Sequence, residues 1–327
     1  MTSRVAVLGG GVAGLTTAHE LAERGFTVDV YEQRGLLGGK ARSYDVPAVS
    51  PGCPPTLAGL PAEHGFRFFP AFYTHIPDTM RRIPFKDQPD GVLGNLVPAS
   101  FLEMARRDLP PLVVPAHLPR SAGDVSLVLR GLIDAHFGIP PQDLAFLAER
   151  LWILLTSCQE RRFGEWEHIS WWKFSQAERR SPGYRRYLAD GISRSLVAAR
   201  AREISTRTGG YIGLRLLFDM VRPNVDVDRV LCGPTNHVWI DPWHGYLEDL
   251  GVRFHLDAQV ARIDVVKDRV TGVHLRGSRR PIDADFYVAA LPVEVMGRLL
   301  TPALLEAEPQ LAELRRLKTR WMNGIMF

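Results

Sequence analysis

A turn of glycines between a short apolar run and an amphipathic segment constrains this chain more than any other feature. Residues Gly9–Gly14 read G-x-G-x-x-G. The preceding run, Arg4–Leu8, is typical of a buried strand, and apolar residues recur at helical spacing from Val12 to Arg24. A second strand pattern follows at Thr27–Tyr31. These segments predict a strand–helix–strand unit, which is right-handed when its strands are parallel.

The glycine turn has the composition of a phosphate-binding loop. Its first glycine permits a tight turn, its second lets the backbone approach a pyrophosphate, and its third lets the helix pack closely on the strand. Glu32 lies at the end of the second strand, 18 residues after Gly14, where a carboxylate accepts the hydroxyls of a ribose. The alternative is a structural glycine turn beside an incidental glutamate. The predicted contacts of the dinucleotide are Gly9, Gly11, Val12, Ala13, Gly14 and Glu32.

A second glycine-rich segment follows the predicted ribose ligand. Glu32, Gln33 and Arg34 precede Gly38-Gly39-Lys40-Ala41-Arg42, and this pattern resembles the flavin-dependent superfamily of amine oxidases, carotenoid desaturases and protoporphyrinogen oxidase. The resemblance implies FAD as the cofactor, with Glu32 on the adenosine ribose and Arg34 and Lys40 beside the ribose and pyrophosphate. It implies that Gly38 and Gly39 let the backbone pass beneath the cofactor. Gln33 and Arg42 belong to the same predicted cofactor segment.

The stretch Glu63–Pro70 resembles a segment of bacterial phytoene-desaturase-like and hydroxysqualene-dehydroxylase-like proteins that passes close to the flavin ring. The resemblance implies that Gly65 allows close approach to the flavin, beside Phe66, and that Arg67 contacts the flavin or a substrate head group. The alternative is an aromatic cluster that seals two lobes. Because flavin chemistry asks little of the protein, the catalytic residue is open, and the candidates are His64, Arg67 and Asp241.

Two later segments resemble the same superfamily. The segment Gln259–Ile263 is similar to its second cofactor segment, in which the backbone at Val260 meets the adenine. The segment Ala289–Pro292, which includes Ala290, resembles the strand end that returns beneath the FAD. We therefore expect an α/β fold with a discontinuous Rossmann-type FAD-binding domain at 1–75 and 250–300. A mostly helical substrate-binding domain is expected at 76–249 and 301–327.

The end of the chain departs from the superfamily pattern. Family members continue into a Gly-Asp-containing strand and helix that close over the flavin, whereas here only Gly297 and Gly324 follow Pro292, and neither precedes Asp. We expect a truncated chain: a fragment, a site completed by a second chain, or a decayed flavoprotein.

Charge and composition limit the partners. The chain has 40 basic and 36 acidic side chains, a balance too even to indicate nucleic acid. Residues 161–207 carry 11 Lys and Arg against five Asp and Glu, which suits either a face that docks on an anionic membrane or a solvated helical face.

Three distant cysteines and the spacing of His237 and His244 predict no metal site. No apolar run is long enough to span a bilayer, so a cytoplasmic protein, peripheral to the membrane at most, is expected.

The favoured function is an FAD-dependent desaturase or dehydrogenase that acts on a hydrophobic, isoprenoid or polyene-like molecule. One alternative is a flavin amine oxidase, for which Lys318 is the only candidate for the late lysine of such enzymes. The other is a non-catalytic or fragmentary flavoprotein.

Overall fold

The computed structural model describes residues 2–47, 55–65, 67–106, 109–116, 123, 137–191, 193–194, 198–222 and 225–320. The chain divides into two compact units. Unit 1 comprises Met1–Phe68, Thr74–Val97 and Val230–Phe327, and unit 2 comprises Phe69–Tyr73 and Pro98–Arg229.

A four-stranded parallel sheet forms the centre of unit 1. Its strands are β1 (Arg4–Leu8), β2 (Thr27–Tyr31), β10 (Arg253–His255) and β13 (Phe286–Ala289), in the order β10-β2-β1-β13. Helix α1 (Val12–Ala22) connects β1 to β2. The apolar residues of β1 are buried, as expected for a parallel strand covered on both faces. The predicted strand–helix–strand unit is confirmed.

A buried carboxylate ties three of these strands together. Asp29 of β2 accepts hydrogen bonds from Arg4 at 2.9 Å, Arg253 at 2.7 Å and His255 at 2.8 Å. Burial alone would raise the pKa of Asp29, but these hydrogen bonds outweigh it and keep the pKa below its ordinary value. Asp29 is therefore ionised, and its hydrogen bonds link β2 to β1 and β10.

The remaining strands of unit 1 are short. Strands β3 (Ser43–Asp45) and β4 (Pro61–Glu63) pair antiparallel, and β6 is Leu96–Pro98. The predicted later strands form the antiparallel hairpin β11 (Val260–Val266) and β12 (Arg269–Leu275), with Lys267 at positive φ in its turn. Unit 1 also contains helices α2 (His75–Arg82), α7 (Asp241–Asp249), α8 (Val293–Leu299) and α9 (Pro302–Ala307). It has a π-helical turn at Asn236–Ile240 and 3-10 turns at Gly39–Ala41, Pro55–Leu57, Gly91–Asn95 and Pro309–Arg316.

Unit 2 combines a helical core with short antiparallel pairs. Its helices are α3 (Pro141–Thr156), α4 (Gln159–Arg161), α5 (Trp171–Phe174) and α6 (Thr206–Val221), with π-helical turns at Arg162–Trp166 and Tyr184–Gly191 and a 3-10 turn at Ala177–Arg179. Strands β7 (Phe101–Arg106) and β8 (Leu109–Pro115) form a hairpin, and β5 (Phe69–Pro70) pairs with β9 (Asp228–Leu231).

Aromatic side chains form the core of unit 2. Trp166, Trp171 and Trp172 are buried together with Phe174 and Tyr184. Ser157 accepts a 2.8 Å hydrogen bond from the indole N–H of Trp166, and the carbonyl of Ser175 accepts one from the hydroxyl of Tyr184 at 3.1 Å. A buried indole or phenol needs such a partner, so these contacts fix the orientation of the rings. Trp152, by contrast, is 64% exposed.

The two units divide at residues other than the predicted domain boundaries. Residues 76–97, 230–249 and 301–320 lie with the parallel sheet in unit 1, although the sequence suggested the helical domain, and residues 69–73 lie in unit 2, although the sequence suggested the FAD-binding domain. The physical reason is contact with α1: the indole of Trp243 donates to buried His19 at 3.0 Å, and Arg82 pairs with Glu20 and Glu23. Among the helices of the described ranges, none has the length and apolarity needed to cross a membrane.

Candidate functional site

The glycine turn after β1 tolerates no larger residue at two of its positions. Gly9 has φ of +113°, and a Cβ there would lie 2.5 Å from the carbonyl oxygen of Ala290. A Cβ on Gly14 would lie 1.8 Å from the carbonyl oxygen of Gly9. The turn therefore depends on glycine both for its conformation and for the close approach of the helix.

This turn leaves backbone donors open at the start of α1. Gly11 is the N-cap, and no side chain caps the helix. The amide of Leu15 donates to the carbonyl of Gly11 at 2.9 Å, so the amides of the first turn before Leu15 have no intrahelical acceptor. Val12 and Ala13 lie in that turn. Open N–H groups and the positive end of the helix dipole form a ready site for a pyrophosphate.

The second glycine pair packs its backbone directly against the first turn. The amide of Gly38 donates to the carbonyl of Gly10 at 2.9 Å, and Gly38 forms an isolated parallel bridge with Gly11. Gly38 and Gly39 both have positive φ, and a Cβ on Gly39 would lie 2.9 Å from Cα of Gly11. The Gly-Gly pair is thus required for two backbones to meet at the mouth of the helix.

Glu32 is a built part of this site and not an incidental surface residue. Its side chain follows β2 and is only 6% exposed. One carboxylate oxygen accepts the amide of Gly10 at 2.8 Å, and the other accepts the amide of Arg34 at 3.0 Å. Each carboxylate oxygen can accept a further hydrogen bond, so the ribose-binding role expected for Glu32 remains chemically available.

A hollow of about 360 Å³ opens beside the helix mouth. The described residues that line it are Val12, Gly38, Lys40, Ala41 and Arg67. Lys40 is largely exposed and pairs with Glu294 at 2.9 Å, a contact that lowers the pKa of Glu294. The hollow therefore places two cationic side chains near the unpaired amides of α1, and an anionic cofactor requires both kinds of group.

The cation Arg67 is held in place from two sides. Its guanidinium donates to Glu63 at 2.8 Å and to the hydroxyl of Thr235. The other oxygen of Glu63 accepts the amide of Thr235 at 2.8 Å. The three groups form a closed set of hydrogen bonds that fixes the guanidinium at the hollow.

His64 lies in a cationic environment beside the same segment. Its ring centroid is 5.1 Å from that of Tyr44. Partial burial lowers the pKa of His64, and the charges of Arg42, Arg34 and Arg67 lower it further. His64 is therefore the neutral imidazole at pH 7. A neutral ring can accept a proton or a hydrogen bond there, which suits the candidate role proposed from the sequence.

The other predicted positions differ in exposure. A Cβ on Gly65 would meet no atom within 4 Å, which leaves room for a bound group, and Phe66 lies outside the described residues. Gln33 and Arg34 are exposed, and Arg42 donates to the carbonyl of Gly39 at 2.5 Å.

Two further predicted cofactor positions are Val260, in the β11–β12 hairpin, and Ala290, directly after β13. Val260 is buried at the start of β11, in a cluster with Ile263 and Val273. The amide of Ala290 donates to the carbonyl of Leu8 at 2.9 Å, which places Ala290 directly under the glycine turn.

Asp241 is exposed at the first position of α7 and is not among the described residues that line the hollow. Its carboxylate accepts a hydrogen bond from Asn236 at 3.3 Å. Buried Asn236, which the sequence analysis missed, also accepts the amide of Ser43 at 2.8 Å. The sequence carries no signal for this pair, because the two residues are 193 positions apart.

In the described part of the chain, no three His, Cys, Asp or Glu side chains are grouped as metal ligands. The glycine turns, Glu32 and the cations instead fit a dinucleotide. FAD, the cofactor expected from the sequence, satisfies this test: its pyrophosphate suits the open amides of α1 and its ribose suits Glu32.

Comparison with known proteins agrees with this reading. A family model described as "Flavin containing amine oxidoreductase" matches residues 12–324. A zeta-carotene desaturase of Synechocystis sp. is 25% identical over 323 residues, which are 91% of this chain and 59% of that protein. The carotenoid phi-ring synthase of Chlorobaculum tepidum is 38% identical over 71 residues, 21% of this chain and 10% of that protein.

Solved structures share the fold. Cyclohexylamine oxidase from Brevibacterium oxydans aligns with a TM-score of 0.62 at 18% identity, over 97% of this chain and 63% of that one. An oxidoreductase from Methanosarcina mazei aligns with a TM-score of 0.61 at 14% identity, over 95% of this chain and 64% of that one. The chain thus spans less than two thirds of the length of the relatives it matches. The expected α/β fold is confirmed.

Proposed function

The chain belongs to the flavin-containing amine oxidoreductase family, and from this premise we propose that it is an FAD-dependent desaturase or dehydrogenase of a hydrophobic, isoprenoid or polyene-like substrate. One observation carries the proposal. The open first turn of α1 lies beside buried Glu32, whose two oxygens are held by the amides of Gly10 and Arg34. This arrangement is matched to the pyrophosphate and the ribose of one dinucleotide.

The roles of the cofactor-binding side chains follow from their contacts. The amides of Val12 and Ala13 and the charge of Lys40 would hold the pyrophosphate of bound FAD, and Glu32 would accept the ribose hydroxyls. Bound FAD would supply a flavin N5 that accepts hydride from a substrate carbon. Gly65, with open space at its Cβ position, lets the backbone lie near the flavin ring.

Arg67 and His64 are the side chains proposed to act near the reaction. Glu63 and Thr235 keep the guanidinium of Arg67 at the hollow, where it orients the flavin or a substrate head group. His64 stays neutral and can hold a proton that the substrate releases. Val260 and Ala290 contribute backbone and apolar surface to the cofactor site.

The substrate class is supported by the names of the relatives. They include zeta-carotene desaturases and a 4,4'-diaponeurosporene oxygenase, from which we carry over an isoprenoid or polyene substrate. We propose that unit 2 supplies the substrate-binding residues, since its surface exposes apolar side chains such as Trp152 and Phe163. A cytoplasmic location with peripheral membrane contact, and a second chain that completes the FAD site, remain parts of the same proposal.

The test measures cofactor and substrate together. Purified protein is mixed with FAD, freed of excess, and examined for the visible absorption of bound flavin. It is then incubated with an acyclic carotenoid and an electron-accepting dye, and in parallel with a panel of amines. Bound flavin and a carotenoid product with longer-wavelength absorption support the proposal.

Turnover of amines alone would replace the proposal with the amine oxidase. Lys318, the lysine on which that alternative depends, is exposed after the last 3-10 turn. Absence of bound flavin would favour the non-catalytic alternative.

A further inference from the structure

A second hollow, of about 440 Å³, lies in unit 2 and has no role in the proposed flavin chemistry. Its described lining is Pro182, Arg185, Arg186, Asp190, Gly191 and Arg194. The lining of this concave surface thus includes three arginines and one aspartate. We propose that this hollow binds a phosphate or diphosphate group.

The arginines of this hollow differ from most arginines of unit 2 in their ion pairing. Arg185, Arg186 and Arg194 have no ion-pair partner among the residues that the structure describes. Other arginines of unit 2 do pair with carboxylates, and the partners are Arg161–Glu165, Arg180–Asp143, Arg200–Glu203, Arg202–Glu178 and Arg207–Glu167. Three of the basic residues behind the surplus at 161–207 therefore lie at this hollow.

The backbone holds the arginines in a distinctive geometry. Residues Tyr184–Gly191 form π-helical turns, which are rare and are often found at functional sites. A Cβ on Gly191 would lie 3.0 Å from the carbonyl oxygen of Arg186, so a larger residue would disturb the turn. The guanidinium of Arg186 lies over the ring of Tyr187 at 5.5 Å. The hollow is thus bounded by a constrained turn and not by a loose loop.

The chemistry of the lining selects the ligand. A guanidinium presents a planar fork of donors that matches phosphate oxygens, and several forks around one concavity favour a multiply charged group. Asp190 adds a carboxylate that can accept a hydrogen bond from a protonated phosphate oxygen. The ligand can be a free diphosphate or the phosphate of a lipid head group, because both present the same oxygens.

The experiment titrates inorganic pyrophosphate into the protein by calorimetry in the presence of saturating FAD, which fills the first site. The variants Arg185→Gln and Arg194→Gln each remove one guanidinium group, and Arg185→Lys keeps the positive charge without the planar guanidinium. The matched control is Arg200→Gln, which removes an exposed arginine of the same unit. We expect saturable binding that weakens about tenfold in each hollow variant and changes little in the control.

A second arm identifies the source of the ligand. Vesicles of phosphatidylcholine alone or mixed with phosphatidylglycerol are sedimented with each variant. Pyrophosphate binding that depends on Arg185 and Arg194 supports a free ligand, and vesicle binding with the same dependence supports a lipid head group. If neither binds, or if Arg200→Gln weakens binding as much as Arg185→Gln, the proposal is overturned.

The result does not depend on the flavin. If the chain takes up no FAD, the proposed function fails, but the difference between the wild type and Arg185→Gln still reports on the hollow.

Discussion

The hollow at the mouth of α1 combines a glycine and two small apolar residues with two cations, whereas the hollow in unit 2 is lined mainly by long charged side chains. In the first, Gly38 presents bare backbone beside the open amides of α1, and both cations are already paired with glutamates. In the second, the surface includes three arginines for which the described part of the chain supplies no ion-pair partner. A site built from backbone amides requires positions without a side chain, whereas a site built from side chains requires particular residue types.

Unit 2 also has a core built from large side chains, and a substitution in that core should cause the largest loss of unfolding free energy. Trp166→Ala removes a buried indole and its hydrogen bond to Ser157. We expect the free energy of unfolding to fall by about 3–5 kcal/mol, as for other buried aromatic truncations. Urea unfolding followed by circular dichroism measures this loss. Trp152→Ala, at an exposed position, is the control. An equal loss of unfolding free energy there would contradict the prediction that the buried ring of Trp166 contributes more to stability.

A single methyl group in unit 1 tests the backbone-built site. Gly14→Ala places a Cβ against the carbonyl oxygen of Gly9, and relief requires α1 to move away from the turn. We expect a loss of about 1–3 kcal/mol in unfolding free energy, typical of overpacking, together with loss of FAD binding. Thermal unfolding and the spectrum of bound flavin measure both. Gly245→Ala, inside α7 and with no atom within 4 Å of the new Cβ, should leave FAD binding unchanged and raise the unfolding free energy by about 0.5–1 kcal/mol. Normal FAD binding by Gly14→Ala would show that the cofactor does not use this turn.

Glu32 provides a smaller test, directed at the cofactor. Glu32→Gln replaces a carboxylate oxygen by an NH₂ group, which cannot accept the amide of Gly10 or a ribose hydroxyl. We expect FAD to bind about tenfold more weakly or worse, because hydrogen bonds to a charged group are lost. Equilibrium dialysis with FAD measures the affinity, and exposed Asp45→Asn is the control. An unchanged dissociation constant would separate Glu32 from the ribose.

The difference between the two hollows also explains what could be predicted from the sequence. The turn Gly9–Gly14, Glu32 and Gly38–Gly39 were readable because glycine spacing reports directly on backbone geometry. The set Glu63, Arg67 and Thr235 was only partly readable, since Thr235 comes from a segment 168 residues away from Arg67. Such contacts depend on tertiary packing, for which one sequence carries no local signal.

The division into compact units could not be predicted for the same reason. Residues 230–249 lie with the sheet because Trp243 packs on α1, and helical periodicity does not reveal which neighbour a helix will contact. In unit 2, the sequence identified an arginine surplus but could not separate the paired arginines from those at the hollow.

The smallest expected effect is on the pH dependence of stability. It tests the contribution of a buried side chain of α1, the helix that follows the glycine turn. His19 of α1 is fully buried, its Nδ1 accepts the indole N–H of Trp243 at 3.0 Å, and its Nε2 donates to Glu23 at 2.9 Å. A second proton would have to bind at Nδ1, against the indole N–H. Burial lowers the pKa of His19 below 6.5, although Glu23 opposes the shift.

The unfolded chain therefore binds more protons at His19 than the folded chain does, and stability must fall as the pH drops below about 6.5. Above that pH the residue is neutral in both states and contributes no slope. Urea unfolding at several pH values should show a steeper decline below pH 6.5 for the wild type than for His19→Gln, whose side chain does not titrate. If the two curves run parallel, the contact with Trp243 does not fix the protonation of His19.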